Sequence, residues 1–371
     1  MIREIIAKVV NGHNLTVDEM TQVMESITEG EATQGQIAAF LVGLRAKGEV
    51  TDEIVAAARV MRAKSVPLPI GNSEICLDRD EINVDLETVA STSRTGGDGT
   101  NTFNVSTTTA FVVAGCGLKV AKHGHLSASG NCGSANVLQA LGVPLELTPR
   151  HVGECVEQLG IGFLYQSYLD GFMRYILDLR RDIGVRTIFN LLGPLTNPGQ
   201  APVQLLGVYR EDMTDLLAEV LKKLGCRSGF AVFGEGCYDE FSITGPSRVT
   251  RLLNDETTTF TLVPEDVGLK RAALEDIRGG NASENATITL SILQGEKGAR
   301  RDMVLLNAAA VLVAAAKADT LEAGIELAAE SIDSGQARKK LQDLVALGTS
   351  KVVGAPLTQS GWGWSSPDSA S

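Results

Sequence analysis

Positive charge is what this chain is short of. Its 371 residues carry 33 Lys and Arg against 45 Asp and Glu, a formal net charge of −12. Nucleic-acid backbones and anionic membrane surfaces are recognised by basic faces, so this composition, with only 5% aromatics, argues against both partners. The six cysteines (Cys76, Cys116, Cys132, Cys155, Cys226, Cys237) are scattered with no C-x-x-C spacing. They read as reduced thiols of a cytoplasmic protein, with neither a disulfide frame nor a zinc site. No apolar run approaches the roughly 18 residues a membrane span needs. Arg3, Glu4 and Lys8 interrupt the first ten residues, which therefore lack a signal-peptide core. The Asn-x-Ser/Thr triplets, such as Asn281-Ala-Ser283, are then chance matches, and no internal repeat is present.

At 44% hydrophobic and 21% charged, the rest is an ordinary globule. The length suggests about two domains and a sizeable core. Glycine is the one excess: 39 residues, about 10% against a usual ~7%.

Residues 1–66 read as an all-helical unit. Ile2, Ile5, Ile6, Val9 and Val10 recur at helical spacing. Thr16-Val-Asp-Glu19 and Thr33-Gln-Gly-Gln36 are capping boxes, each opening an amphipathic run, and a further helix runs from Thr51 to about Ala63. Pro67 and Pro69 end the unit. Residues 146–182 are again helix-like and are expected to complete it. From about residue 82, strand-like runs (82–84, 118–121, 205–209, 229–233) alternate with helical patterns. That grammar predicts a large α/β domain over 67–353 with a mainly parallel sheet. A final helical stretch spans 305–347. Residues 354–371, with Trp362 and Trp364, have the composition of a disordered tail.

Part of the glycine excess lies in two polar loops. Residues 94–107 read Arg-Thr-Gly-Gly-Asp-Gly-Thr-Asn-Thr-Phe-Asn-Val-Ser-Thr and lead into a helical pattern. Glycines permit close backbone approach, and a helix start offers N–H groups and a positive dipole end. With Asn104, Ser106 and Thr107 as donors, this is a cradle for phosphate or pyrophosphate. It matches neither the Walker nor the dinucleotide fingerprint, and a capped glycine turn is the simpler alternative. The second loop, 122–134, offers Lys122, Ser127, Ser129 and Ser134; a plain surface loop is the alternative there. It also holds His123 and His125, but nothing supplies a third metal ligand. Asp239-Glu240, after the strand-like 229–233, suits Mg²⁺, which takes hard oxygen ligands and substrate phosphates. A solvated acidic pair is the alternative.

These residues resemble the anthranilate phosphoribosyltransferase family of tryptophan biosynthesis over nearly the whole chain. The motifs are Thr95-Gly-Gly-Asp-Gly99, Phe103-Asn-Val-Ser-Thr107, Lys122-His-Gly124, Gly133-Ser-Ala135 and Arg186-Thr-Ile-Phe-Asn-Leu-Leu-Gly-Pro-Leu-Thr-Asn-Pro198. Asp239-Glu240, Gly279-Gly280 with Glu284-Asn-Ala286, and Leu306-Asn-Ala308 follow in order. The resemblance implies a small helical domain hinged to a large α/β domain of the nucleoside phosphorylase/phosphoribosyltransferase class, and a homodimer formed largely through the helical domain. It implies phosphoribosyl pyrophosphate (PRPP) and Mg²⁺ in the cleft between domains, and a small aromatic acceptor. Carried over by position, Gly97, Asp98, Thr102, Asn104, Ser106 and Thr107 would hold PRPP. Lys122, His123, Gly124, Ser127, Ser129, Gly130 and Ser134 would cover its phosphates. Ser106, Asp239 and Glu240 would serve the metal, and Arg180 the acceptor carboxylate. No residue is implied as a catalytic acid or base.

The departures cluster on the acceptor side. Arg94 stands where the family has a glycine near both substrates, and with His125 it becomes an acceptor-side candidate. His125-Leu126 replaces Asn-Arg, Gly130-Asn131 replaces Ser-Lys, and Tyr165-Gln-Ser-Tyr-Leu-Asp-Gly171 replaces a stretch that lines the acceptor path. Two enzyme readings stand: transfer to anthranilate, or to another aromatic or heteroaromatic acceptor. A non-catalytic nucleotide-binding relative is a third; the intact Asp239-Glu240 pair speaks against it. The run from Arg186 to Pro198 disfavours a pyrimidine nucleoside phosphorylase. Charge distribution favours a small anionic substrate at the loops. Residues 94–186 carry 8 basic and 7 acidic residues, while residues 1–93 carry 8 and 15.

Overall fold

The computed structural model describes residues 1–66, 68–70, 89–95, 102–124, 132–165, 171–237 and 239–352. Several sequence expectations lie outside them: Gly97, Asp98, His125, Ser127, Ser129, Gly130, the run 82–84, residues 166–170 and the tail 354–371. The chain divides into two compact units. Of residues 146–182, those up to Tyr165 belong to the α/β unit, and those from Gly171 onward to the helical unit.

The helical unit begins with α1 (Ile2–Val10), α2 (Val17–Thr28), α3 (Gln34–Lys47) and α4 (Thr51–Lys64). Both capping boxes are present: Thr16 and Thr33 accept from the backbone N–H three residues on, and Glu19 and Gln36 return the bond. The core of α2–α4 is Met20, Val23, Met24, Ile37, Phe40, Leu41, Leu44 and Ile54, all fully buried. Each such side chain contributes roughly 1.5–3 kcal/mol of transfer free energy. A Cβ on Gly43 would lie 3.1 Å from Val9 and 3.2 Å from Val10, so this glycine lets α1 settle closely on α3. Helices Gly171–Ile183 and Ile188–Leu195 complete the unit. Arg62 Nε donates to the Leu195 carbonyl at 2.9 Å, satisfying a helix C-terminus.

The α/β unit is built on a seven-stranded sheet in the order β3-β2-β1-β4-β5-β6-β7. Its strands are β1 (Val89–Arg94), β2 (Lys119–Gly124), β3 (Ile161–Tyr165), β4 (Val203–Gly207), β5 (Ser228–Gly234), β6 (Ser247–Leu253) and β7 (Glu256–Leu262). β1 to β5 are parallel, while β6 and β7 join antiparallel. Helices 105–115, 149–159, 213–223 and 299–314 pack against it. No helix among the described residues is long and apolar enough to cross a membrane.

Four strands differ from the sequence expectation. β3 falls inside a stretch read as helix, because a five-residue apolar run has no period to betray it. β6 and β7 form a hairpin whose tip, Asn254 and Asp255, has positive φ of 50° and 65°. That dipeptide suits a two-residue turn. The strand before the first glycine loop is β1, whose polar sequence Val-Ala-Ser-Thr-Ser-Arg disguises it. Its buried hydroxyls are paired within the fold: Thr92 Oγ1 donates to the Ser106 carbonyl at 3.0 Å, and Ser91 Oγ accepts from Asn197 Nδ2 at 3.1 Å.

Candidate active site

The strand order reverses between β1 and β4. After β1 the chain adds β2 and β3 on one side, then returns to add β4 and β5 on the other. Open α/β sheets bind ligands beyond the carboxyl ends of strands at such a switch point. Here that edge carries Arg94 at the end of β1 and Thr95 just after it, Lys122 from β2, and the start of the helix Val105–Gly115 (α5). Asp239 and Glu240 arrive from the turn after β5. Gly207 admits them, because a Cβ there would collide with the Asp239 carbonyl. Asn307 pins the following backbone, accepting from Phe241 N–H at 3.0 Å and donating to Phe241 O at 3.1 Å.

Lys122 is only 4% exposed. Its ammonium donates to Thr92 O at 3.1 Å and Thr92 Oγ1 at 3.4 Å, and lies 3.4 Å from Ser106 Oγ. Burial draws its pKa down to about 7, against the pull of Glu240 and with a push from Arg94. Lys122 is thus seated between β1 and the α5 start. Asp239 and Glu240 are 1% and 2% exposed, so the solvated-pair reading fails. Burial pushes the Glu240 carboxyl up to about 8; Arg94 opposes this, Asp239 adds to it, and Lys122 and the Ser106 backbone N–H oppose it. Among the described residues, Glu240 Oε1 has no hydrogen-bond partner. The fold thus joins Ser106, Asp239, Glu240 and Lys122, drawn from distant stretches of chain.

Arg94 extends its Nη1 to 3.5 Å from Asp239 Oδ1. The residue that departs most from the family pattern therefore touches a metal candidate. Thr95, Thr102 and Thr107 each keep a buried hydroxyl with no hydrogen-bond partner among the described residues. Buried polar groups are rarely left so, and these flank the glycine loop at the entry to α5. Asn104 stands at the N-cap position of α5, where its side chain makes no capping bond and instead accepts from Asn285. His123 is buried on β2. At the end of β2, a Cβ on Gly124 would lie 3.2 Å from Ser134 Oγ, which brings the start of the helix Ser134–Ala140 to that strand.

Arg180 lies in the helical unit on Gly171–Ile183. Burial and the neighbouring Arg186 charge draw its pKa below the ordinary guanidinium value. A half-buried cation beside a second one suits an anion such as a carboxylate. Among the described residues, no group of three or more His, Cys, Asp and Glu is gathered as a metal cage would need.

Sequence reasoning passed over several supporting residues. Thr92 is known only from its contacts, while Thr95, Asn197 and Asn307 stood in motifs without a role. Asn285 stood in a quoted motif without a role. Its spacing after Gly279-Gly280, a turn followed by a helix, was the available signal.

Two family models match the chain. The α/β domain of the glycosyl transferase family covers residues 87–338, and the helical bundle domain of that family covers residues 3–65. The anthranilate phosphoribosyltransferase of Geotalea daltonii is 52% identical over 347 residues, 94% of this chain and 99% of that protein. The crystal structure of anthranilate phosphoribosyltransferase from Thermus thermophilus superposes with a TM-score of 0.84 at 39% identity, over 93% of this chain and 99% of that one. The Saccharomyces cerevisiae anthranilate phosphoribosyltransferase, solved with PRPP and Mg, shares the fold at 24% identity and a TM-score of 0.83, over 94% and 98% of the chains. On its full-length likeness to these relatives, the chain belongs to the anthranilate phosphoribosyltransferase family.

Proposed function

We propose that this protein transfers the phosphoribosyl group of PRPP to the amine of anthranilate, with Mg²⁺, and releases pyrophosphate. The carrying observation is the switch-point cluster, where an unserved buried carboxylate oxygen meets the start of α5. That carboxyl fits a divalent cation: Glu240 and Asp239 are crowded and buried, and Mg²⁺ favours hard, ionised oxygen ligands. Ser106, Asp239 and Glu240 are the residues proposed to hold it. The chemistry supplied by bound Mg²⁺ is neutralisation of charge on the departing pyrophosphate.

The remaining work belongs to the chain's own groups. The N–H groups at the α5 start and the spare hydroxyls of Thr95, Thr102 and Thr107 are oriented donors for phosphate oxygens. Asn104, Ser134 and Lys122 extend that set, with Gly97, Asp98, Ser127, Ser129 and Gly130 proposed from sequence. Arg180 is proposed to fix the acceptor carboxylate, which aims the neutral amine at C1 of the ribose. Such an amine needs no strong base, so positioning supplies much of the rate. The ribosyl centre passes through oxocarbenium character, as in glycoside cleavage.

A different acceptor is the second reading, and it is motivated by Arg94 and His125. The Arg94 contact with Asp239 supports anthranilate, because it engages the guanidinium on the metal side. We further propose that the two units are the helical and phosphoribosyl-binding domains of a cytoplasmic homodimer. Exposed Val10, Val17 and Val42 on the helical unit support the dimer, and light scattering would test it. The function itself is tested by pyrophosphate release from PRPP and Mg²⁺ with anthranilate and a panel of aromatic acids. Release with anthranilate is expected. Release only with another acid establishes the second reading, and no release with any acceptor overturns both.

A further inference from the structure

Asn285 lies on the helix Ala282–Leu293 and is 2% exposed. Its side-chain amide is engaged at both ends. Oδ1 accepts from the Gly280 backbone N–H at 2.8 Å. Nδ2 donates to the Gly280 carbonyl at 3.1 Å and to Asn104 Oδ1 at 2.9 Å. The close turn that permits this needs glycine: a Cβ on Gly279 would sit 2.6 Å from both Asn285 Oδ1 and Phe103 Cα.

The chemistry of the first bond fixes the rest. A backbone N–H can only donate, so it determines which end of the Asn285 amide is oxygen. The nitrogen end then faces Asn104, and a donor is met only by the Asn104 oxygen. Asn104 Nδ2 is therefore turned away from Asn285, and among the described residues it makes no hydrogen bond. An anion accepts hydrogen bonds and is repelled by a carbonyl oxygen, so the direction of this amide matters to phosphate binding.

We propose that Asn285 is a positioning residue that sets the polarity of the Asn104 side-chain amide, so that the loop at α5 presents an N–H donor and not a carbonyl to the phosphate oxygens of PRPP. This rests on the PRPP reading above. The relay runs from the Gly280 backbone through Asn285 to Asn104.

The test is the Kd for Mg·PRPP by calorimetry, with a melting temperature for every variant. In Asn285→Asp the new carboxylate still accepts from Gly280 N–H, but both its oxygens are acceptors. Asn104 must then rotate to donate, which turns its carbonyl outward. Affinity is expected to fall about tenfold or more. Asn285→Ala leaves Asn104 free to choose its orientation and should lose only about threefold, although it deletes more bonds. A merely structural role makes affinity track melting temperature in both variants, since a buried carboxylate facing the Gly280 carbonyl is itself destabilising.

The charge of the new carboxylate is separated by repeating Asn285→Asp in an Asn104→Ala background. There it should change affinity less than about twofold, since no amide is left to turn. Equal losses in both backgrounds, an unchanged Kd in Asn285→Asp, or affinity that tracks melting temperature in both variants each overturn the inference. A wild-type chain that fails to bind Mg·PRPP sinks the functional reading together with it. Normal wild-type binding with an indifferent Asn285→Asp sinks the inference alone.

Discussion

Each unit buries a lysine and a glutamate close together, and the two clusters are finished to different degrees. In the helical unit, Glu53 Oε1 accepts from Leu15 N–H at 2.8 Å, and Oε2 accepts from Val50 N–H and Lys47 Nζ, both at 3.0 Å. Lys47 also donates to Gly48 O and Asn14 Oδ1. In the α/β unit, Glu240 keeps one buried oxygen with no partner among the described residues, and Lys122 is held by Thr92. Buried ions are tolerated when their lone pairs and protons are matched. A matched cluster is architecture. An unmatched one at the carboxyl edge of a parallel sheet is prepared for something that arrives later.

The largest expected effect is on turnover. Replacing both acids, Asp239→Ala with Glu240→Ala, should reduce Mg²⁺-dependent pyrophosphate release by at least about 10³-fold. Its melting temperature should hold, because the buried Glu240 Oε1 has no partner to lose among the described residues. Retained turnover, or a collapse of stability, would erase the contrast between the two clusters. The mirror experiment is Glu53→Ala in the helical unit. It strands the buried Lys47 and two N–H groups, so urea unfolding should show a loss of about 3–5 kcal/mol. A loss below about 1 kcal/mol would mean that the pair is ornamental.

The pH dependence sharpens the comparison further. The folded Glu240 carboxyl is raised to about 8 from an ordinary 4.5. Between those values the unfolded chain is ionised while the folded one stays protonated, so stability falls as pH rises through the window. For the metal-free protein in EDTA, this amounts to roughly 2 kcal/mol between pH 5 and 7. Glu240→Gln should flatten that slope in denaturant titrations at several pH values; an equal slope in the variant would remove Glu240 as its source. The smallest effect concerns Arg94. Its guanidinium competes with any cation for Asp239, but it is partly exposed and worth about 1 kcal/mol at most. Arg94→Gly should therefore strengthen Mn²⁺ binding about fivefold by paramagnetic titration. Weaker binding in the variant would recast Arg94 as a helper of the metal site. Higher anthranilate turnover in the same variant would show that the side chain also obstructs the acceptor.

Local rules made much of this molecule legible from sequence. The capping boxes at Thr16 and Thr33 involve groups three residues apart, so a sequence displays them whole. The helix after Asn104 and the strands near 119–124, 203–207 and 228–234 were likewise visible as periodic or apolar runs. β1 was hidden because its hydroxyls find partners only in the folded sheet, and β3 because it is short. Site residues were nameable mainly where they sat in glycine-rich or acidic motifs. Asn285 and Asn307 lay in family motifs without a role, since a buried amide announces its role only through the groups it meets.

By itself, then, the sequence determined the order of elements, the polar loops and the identity of the charged groups, all of which follow from neighbours along the chain. Tertiary structure decided who faces whom. Asn285 meets Asn104 across 181 residues, and Arg94 meets Asp239 across 145. Those encounters depend on strand order, on the reversal between β1 and β4, and on glycines at 207 and 279 that let backbones close. Burial then set the protonation preferences of Lys122 and Glu240, because the energy of a charge depends on the medium around it and not on its place in the chain.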